Sequence, residues 1–63
     1  MIALFTIFEL EQLTDTQLEE LYATLNRLLT ASAAGSAERR NILASLENLT
    51  LVRNRRHAAA PSL

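Results

Sequence analysis

Few side chains in this sequence are of the types that carry out catalysis. The only histidine, His57, follows two arginines, and there is no cysteine. A general acid or base must be placed where its pKa suits the reaction, and a nucleophilic hydroxyl needs a base within hydrogen-bonding reach. The acidic residues fall on helix positions that we expect to be exposed, and His57 lies in a basic terminus. We therefore expect that the protein is not an enzyme.

Metal and cofactor sites are not indicated either. Structural zinc sites combine several Cys or His ligands, and phosphate-binding loops need several glycines. The chain has a single histidine and a single glycine, Gly35. Tyr22 falls within a stripe of leucines, where we expect it to be part of the core rather than of an active site. The sequence therefore predicts no catalytic residue, no metal and no cofactor.

Charge is the remaining chemistry, and it is distributed unevenly. The formal net charge is −1, but residues 1–34 carry five acids and one arginine, whereas residues 35–63 carry five arginines and two acids. Two interpretations stay open: oppositely charged helices that attract each other, or a basic surface for an acidic partner or nucleic acid. A net charge near zero argues against strong non-specific binding to DNA.

The leucine pattern predicts two helices that fold back on each other. Thirteen leucines, against one glycine and one proline, favour an all-α chain. Apolar residues spaced i, i+3, i+4 predict helices over 14–33 and 36–56, joined by a turn over 34–36. The first helix should begin with a capping box of Thr14 and Gln17. Gly35 should end it, and Ser36 should begin the second helix. The expected fold is an antiparallel two-helix hairpin.

The second helix should turn one apolar side toward the first. The residues on this side are Ile42, Leu43, Leu46, Leu49 and Val52. Leu51 falls almost opposite the centre of that stripe, so we expect it to be exposed. Residues 57–63 contain Pro61 and little to bury, and we predict a flexible tail there. Residues 1–56 would then form a single small domain.

Residues 1–13 form an apolar arm whose structure the pattern leaves open. The segment is too short to span a bilayer and lacks the basic start and cleavage site of a secretion signal, so we expect a cytoplasmic protein without a membrane partner. The arm could pair as a strand with a second chain, or dock on the hairpin through Phe5, Phe8 and Leu10. It could also stay mobile until a partner binds. Residues 10–13 could add a turn of helix.

The small size of the chain predicts association. A domain of 63 residues buries little of its surface, and without disulfides or metal it gains stability by binding another chain. We expect a third layer, a dimer or a bound protein partner. Surplus apolar residues and arginines, whose planar side chains pair well with carboxylates, are the candidate contact residues. They are Phe5, Phe8, Arg39, Arg40, Leu51, Arg53 and Arg56.

Three functions fit these features. The first is a protein-binding regulator that occludes a partner. The second is a ribbon-helix-helix DNA-binding repressor, which has a short N-terminal strand before two helices, although Ile2 to Phe8 offers only Thr6 to contact bases. The third is a self-associating hairpin whose two copies form a four-helix bundle. The first is our main hypothesis, and direct DNA binding is less favoured.

A resemblance helps to choose the partner. The segments Phe8-Glu-Leu…Leu13-Thr-Asp-Thr-Gln-Leu18 and Gly35-Ser-Ala-Glu-Arg-Arg-Asn-Ile-Leu-Ala-Ser-Leu-Glu-Asn-Leu49 resemble small proteins of proteobacterial integrative and conjugative elements. In size and layout the chain is similar to the QseM-type antiactivators. The resemblance covers roughly residues 8–56. It implies a protein of a mobile genetic element that binds transcriptional activators and represses conjugative transfer without contacting DNA.

Overall fold

The computed structural model describes residues 4–59, which form three α-helices and no strand. Helix α1 is Ile7–Glu11, α2 is Asp15–Ala31 and α3 is Ala37–Ala59. Helix α3 packs against both of the others. The predicted all-α class is therefore confirmed. Residues 1–3 and 60–63, parts of the predicted arm and tail, lie outside the described residues.

Two capping boxes begin the first two helices. At α2 the Thr14 hydroxyl accepts from the Gln17 N–H at 3.1 Å, and the Gln17 side chain accepts from the Thr14 N–H at 2.8 Å, as predicted. Thr6 and Glu9 form the same reciprocal pair at α1. This second box explains why a helix forms over Ile7–Glu11, earlier in the chain than the turn that the sequence allows over 10–13.

Helix α2 ends earlier than predicted, and Gly35 does not end it. The last helical residue is Ala31, and Ser32 is extended, with both its N–H and its hydroxyl donating to the Leu29 carbonyl. A serine that bonds the backbone in this way competes with continuation of the helix. Gly35, at φ 76°, instead occupies the third position of a turn closed by the Ser36 N–H on Ala33 O at 3.2 Å. Positive φ at that position favours glycine.

Helix α3 begins as predicted and extends further. The Ser36 hydroxyl accepts from the Arg39 N–H at 3.0 Å, so Ser36 is the N-cap. The helix continues to Ala59 rather than ending at 56, so residues 57–59 of the predicted tail are helical. Alanine has the highest helix propensity, which accounts for the extension. Although α3 has 23 residues, neither it nor any other helix within residues 4–59 is apolar and long enough to span a membrane.

The core lies where α3 meets the other two helices. Its fully buried apolar residues are Leu10, Leu18, Leu25, Ile42, Leu49 and Val52. Two predicted core residues lie outside it: Leu43 is 45% exposed and Tyr22 is 41% exposed. Leu43 lies about 100° around the helix from Ile42, which turns it away from α2. Ser45, a polar residue, takes a fully buried position in the stripe instead.

Candidate protein-binding site

The N-terminal segment, residues 4–11 with helix α1, is held on α3 through the backbone of Phe5. The Phe5 N–H donates to the Ser45 hydroxyl at 3.0 Å, and the Asn48 side-chain amide donates to the Phe5 carbonyl at 3.0 Å. Ser45 and Asn48 are three residues apart and therefore lie on one face of α3. Because both polar groups of one peptide residue are bound, the position of this segment is fixed. Of the three possibilities for the arm, residues 4–11 adopt the docked one. The contacts are made by Phe5 and Leu10, whereas the predicted packing of Phe8 is wrong because its side chain is exposed.

Arg56 holds the connection between α1 and α2 at the other end of the segment. Its guanidinium donates to the carbonyls of Leu13 at 2.7 Å and Glu11 at 3.1 Å, and to the Asp15 carboxylate at 2.8 Å. Arg55 also forms a longer ion pair with Glu11, at 3.8 Å. The basic end of α3 therefore attracts acidic residues of the N-terminal half, as the first interpretation of the charge pattern expects.

Docking of this segment leaves one aromatic side chain in solvent and forms an apolar groove against α2. Leu10 of α1 is buried, whereas Phe8 is 73% exposed. A groove of about 220 Å³ lies between this segment and α2. Its lining residues are Leu4, Phe5, Glu9, Leu21, Thr24, Leu25 and Leu28. Glu9, the residue after Phe8, is the one acidic side chain in this lining.

Glu9 contributes a fixed negative charge to the groove. Its carboxylate accepts from the Thr6 N–H at 2.9 Å and from the Thr6 hydroxyl at 3.1 Å. These hydrogen bonds, the one from the backbone first, lower the pKa of Glu9 because they stabilise its ionised form. A partner that binds this groove must therefore match an apolar floor and one carboxylate.

The two arginines at the turn end bond the backbone of their own chain. Arg39 donates to the Leu29 carbonyl at 3.0 Å and to the Ser32 hydroxyl at 3.3 Å. Arg40 donates to the Gly35 carbonyl at 3.2 Å. The last carbonyls of a helix lack partners within the helix, so Arg39 completes the C-terminal end of α2.

A polar cleft lies at the opposite end of α3. The Arg53 guanidinium lies over the Tyr22 ring, 5.4 Å from its centroid. The cleft beside them has a volume of about 380 Å³. It is lined by Tyr22, Thr50, Arg53, Asn54 and His57.

The predicted contact residues do not form one surface. Phe5 and Phe8 lie on the N-terminal segment, and Leu51 is 40% exposed on α3. Arg53 lies about 20 Å further along α3 than Arg39, at 1.5 Å per residue. Three of the seven, namely Arg39, Arg40 and Arg56, donate side-chain hydrogen bonds within the chain, and Phe5 is bound through its backbone. A role in partner binding stays a prediction for each of the seven.

Ser45 and Asn48 were not among the candidate residues. The sequence does indicate that Ser45 is buried, since it falls three residues after Ile42 and four before Leu49, within the apolar stripe. A polar side chain at such a position is buried and needs a hydrogen-bond partner. Its hydrogen-bond partner, the backbone N–H of Phe5, lies 40 residues away in the chain and could not be predicted from the residue spacing.

Within residues 4–59 no three His, Asp or Glu side chains lie together as metal ligands would. No protein-family model matches the chain, and no curated protein and no solved structure matches it significantly. The resemblance to the QseM-type antiactivators therefore stays a prediction.

Proposed function

We propose that this protein is a non-catalytic binding module of the cytoplasm that sequesters or inhibits a partner protein. In this proposal an antiparallel hairpin of α2 and α3 is the scaffold, and the docked N-terminal segment carries the contact residue. One observation supports it above the others: Phe8 is 73% exposed on a segment that hydrogen bonds hold in place. That the partner is a transcriptional activator comes from the resemblance to QseM-type antiactivators.

The energetic argument concerns Phe8. Burying a phenylalanine contributes about 1.5–3 kcal/mol, and a few aromatic anchors supply most of the binding energy in many interfaces. Phe8 does not reach the core of its own chain, because the α1 helix turns Leu10 inward instead. A segment that is already ordered also loses little conformational entropy when it binds.

The groove between the N-terminal segment and α2 indicates the chemistry of the partner. Its floor is apolar, and the ionised Glu9 carboxylate lies on its wall. An amphipathic helix that places apolar residues in the groove and a lysine or arginine near Glu9 would match both features. We therefore propose such a helix as the bound element of the partner.

The test compares three forms of the full chain as baits in the host cell. Proteins retained by the unchanged chain are identified, and their retention is measured again with Phe8→Ser and with Leu43→Ser. Leu43 is a matched control, because it is an exposed apolar residue on a different face of the molecule. We expect Phe8→Ser to weaken binding at least about tenfold, the loss of an aromatic anchor, and Leu43→Ser to leave it unchanged.

Three results would contradict this proposal. Equal retention by the Phe8 and Leu43 variants would show that Phe8 is not the anchor. If light scattering gave a dimer that Phe8→Ser dissociates, and no other protein were retained, the self-associating alternative would replace the proposed function. Retention of DNA that depends on Arg53 or Arg56 would instead support the DNA-binding alternative.

A further inference from the structure

The cleft at the C-terminal end of α3 is lined only by side chains that can donate hydrogen bonds. The lining residues are Tyr22, Thr50, Arg53, Asn54 and His57, and no carboxylate is among them. Four of the five lie on α3 at spacings of i, i+3, i+4 and i+7, which places them on one side of the helix. Such a set of donors favours an anion.

Arg53 is held in this cleft by an aromatic contact and not by an ion pair within residues 4–59. The Tyr22 ring covers one face of its guanidinium at 5.4 Å, an arrangement that cation–π attraction stabilises. Among the described residues, Arg55 and Arg56 form ion pairs with Glu11 and Asp15, whereas Arg53 forms none. Its N–H groups are therefore available to an acceptor.

His57 adds a second donor at the same place. It follows Arg53 by four residues, so the two side chains are neighbours on the helix surface. Asn54 and Thr50 contribute an amide and a hydroxyl to the same cleft. A planar carboxylate that pairs with the fork of Arg53 can thus accept a further hydrogen bond from the rim.

The charges next to the cleft favour a carboxylate over a phosphate. An adjoining cleft shares Arg53 and His57 but is also lined by Arg56, Asp15 and Glu19. Asp15 is paired with Arg56, whereas Glu19 adds a negative charge without an ion pair among residues 4–59. A doubly charged phosphate would be repelled by it more strongly than a singly charged carboxylate.

We propose that this cleft binds an aspartate or glutamate side chain of the partner protein, with Arg53 as the principal contact. The inference rests on the proposed function, because it assigns a second contact to the same partner. Phe8 would supply the apolar anchor, and Arg53 would select partners that carry an acidic residue.

The test titrates a defined probe into the isotopically labelled full chain. The probe is an N-acetylated, C-amidated hexapeptide of glutamate, and the signals followed by NMR are the side-chain N–H groups of the arginines. We expect saturable shifts at Arg53 that weaken with added salt. Arg53→Gln should reduce affinity about two- to fivefold, the range that exposed ion pairs support, and Arg53→Lys should reduce it less.

Two further variants sharpen the titration. Arg40→Gln, at the distant turn end of α3, is the matched control and should leave the affinity unchanged. Glu19→Gln should raise the affinity, because it removes the repulsive charge of the adjoining cleft. Thermal unfolding of each variant checks that it is folded.

The inference is overturned if Arg40→Gln lowers the affinity for the hexapeptide as much as Arg53→Gln does, because the binding would then be non-specific. It is also overturned if inorganic phosphate at equal ionic strength binds more tightly than the peptide. Loss of partner capture by Phe8→Ser together with full capture by Arg53→Gln would retain the proposed function and reject this site.

Discussion

The N-terminal segment is bound to α3 at two places, which we call joints. The two joints differ in the charge and the burial of the groups that form the hydrogen bonds. At Phe5 the joint consists of neutral hydrogen bonds to Asn48 and to Ser45, which is fully buried. At Arg56 it consists of charged hydrogen bonds at the surface, since the Arg56 side chain is 32% exposed and that of Asp15 is 86% exposed. Water therefore reaches the Arg56 and Asp15 side chains more readily than the Ser45 hydroxyl. We therefore infer that the buried joint contributes more to stability.

Removing the Ser45 hydroxyl should have the largest effect. Ser45→Ala leaves the Phe5 N–H without its acceptor, and an unsatisfied buried donor costs about 1–3 kcal/mol. The free energy of unfolding, measured by urea denaturation with helicity as the signal, should fall by that amount. Thr50→Ala, at an exposed position on the same helix, is the control and should change it by less than about 0.5 kcal/mol. An equal effect of the two substitutions would mean that the segment is not held at Phe5.

Removing the charged joint should have a smaller effect. Arg56→Gln loses the bonds to the Leu13 and Glu11 carbonyls and the ion pair with Asp15, and we expect a loss of about 1 kcal/mol because this site is partly solvated. Arg55→Gln is the matched control. Its ion pair with Glu11 is long, at 3.8 Å, and both side chains are about half exposed, so its loss should hardly change stability.

A larger effect of Arg56→Gln than of Ser45→Ala would reverse the comparison. It would show that the connection between α1 and α2, rather than the contact at Phe5, holds the segment in place. The same urea denaturation series decides between the two.

Acidification should loosen the segment between the two joints. The pKa of Glu9 in the folded chain is lowered by its hydrogen bonds from Thr6. Its contribution to stability is therefore present above the unfolded pKa and is lost as the pH falls through the folded pKa. The difference in unfolding free energy between the unchanged chain and Glu9→Gln should shrink from pH 7 to pH 3. The exposed Glu20, substituted in the same way, should not reproduce this change, and a constant difference for Glu9 would argue against its capping role.

The errors in prediction came from particular residues. Tyr22 matched the leucine spacing, but its ring supports Arg53 at the surface instead of entering the core. Gly35 matched a helix-ending signal, yet the helix ended earlier because Ser32 bonds the Leu29 carbonyl. Thr6 and Glu9 carried a capping box in the sequence that the strand propensity of the apolar arm obscured. In each case a local signal was present, and a competing local or tertiary contact decided the outcome.

The sequence by itself determined the all-α class, the capping box at Thr14, the start of α3 at Ser36 and most of the buried stripe. These features depend on hydrogen bonds and contacts between residues three or four positions apart, which the residue order specifies directly. Only the tertiary structure decided that Phe5 pairs with Ser45 and Asn48, that Arg56 reaches the Leu13 carbonyl, and that Phe8 remains exposed. Those partners are 40 or more residues apart in the chain. Which of them meet depends on how the helices pack, and no local spacing encodes it.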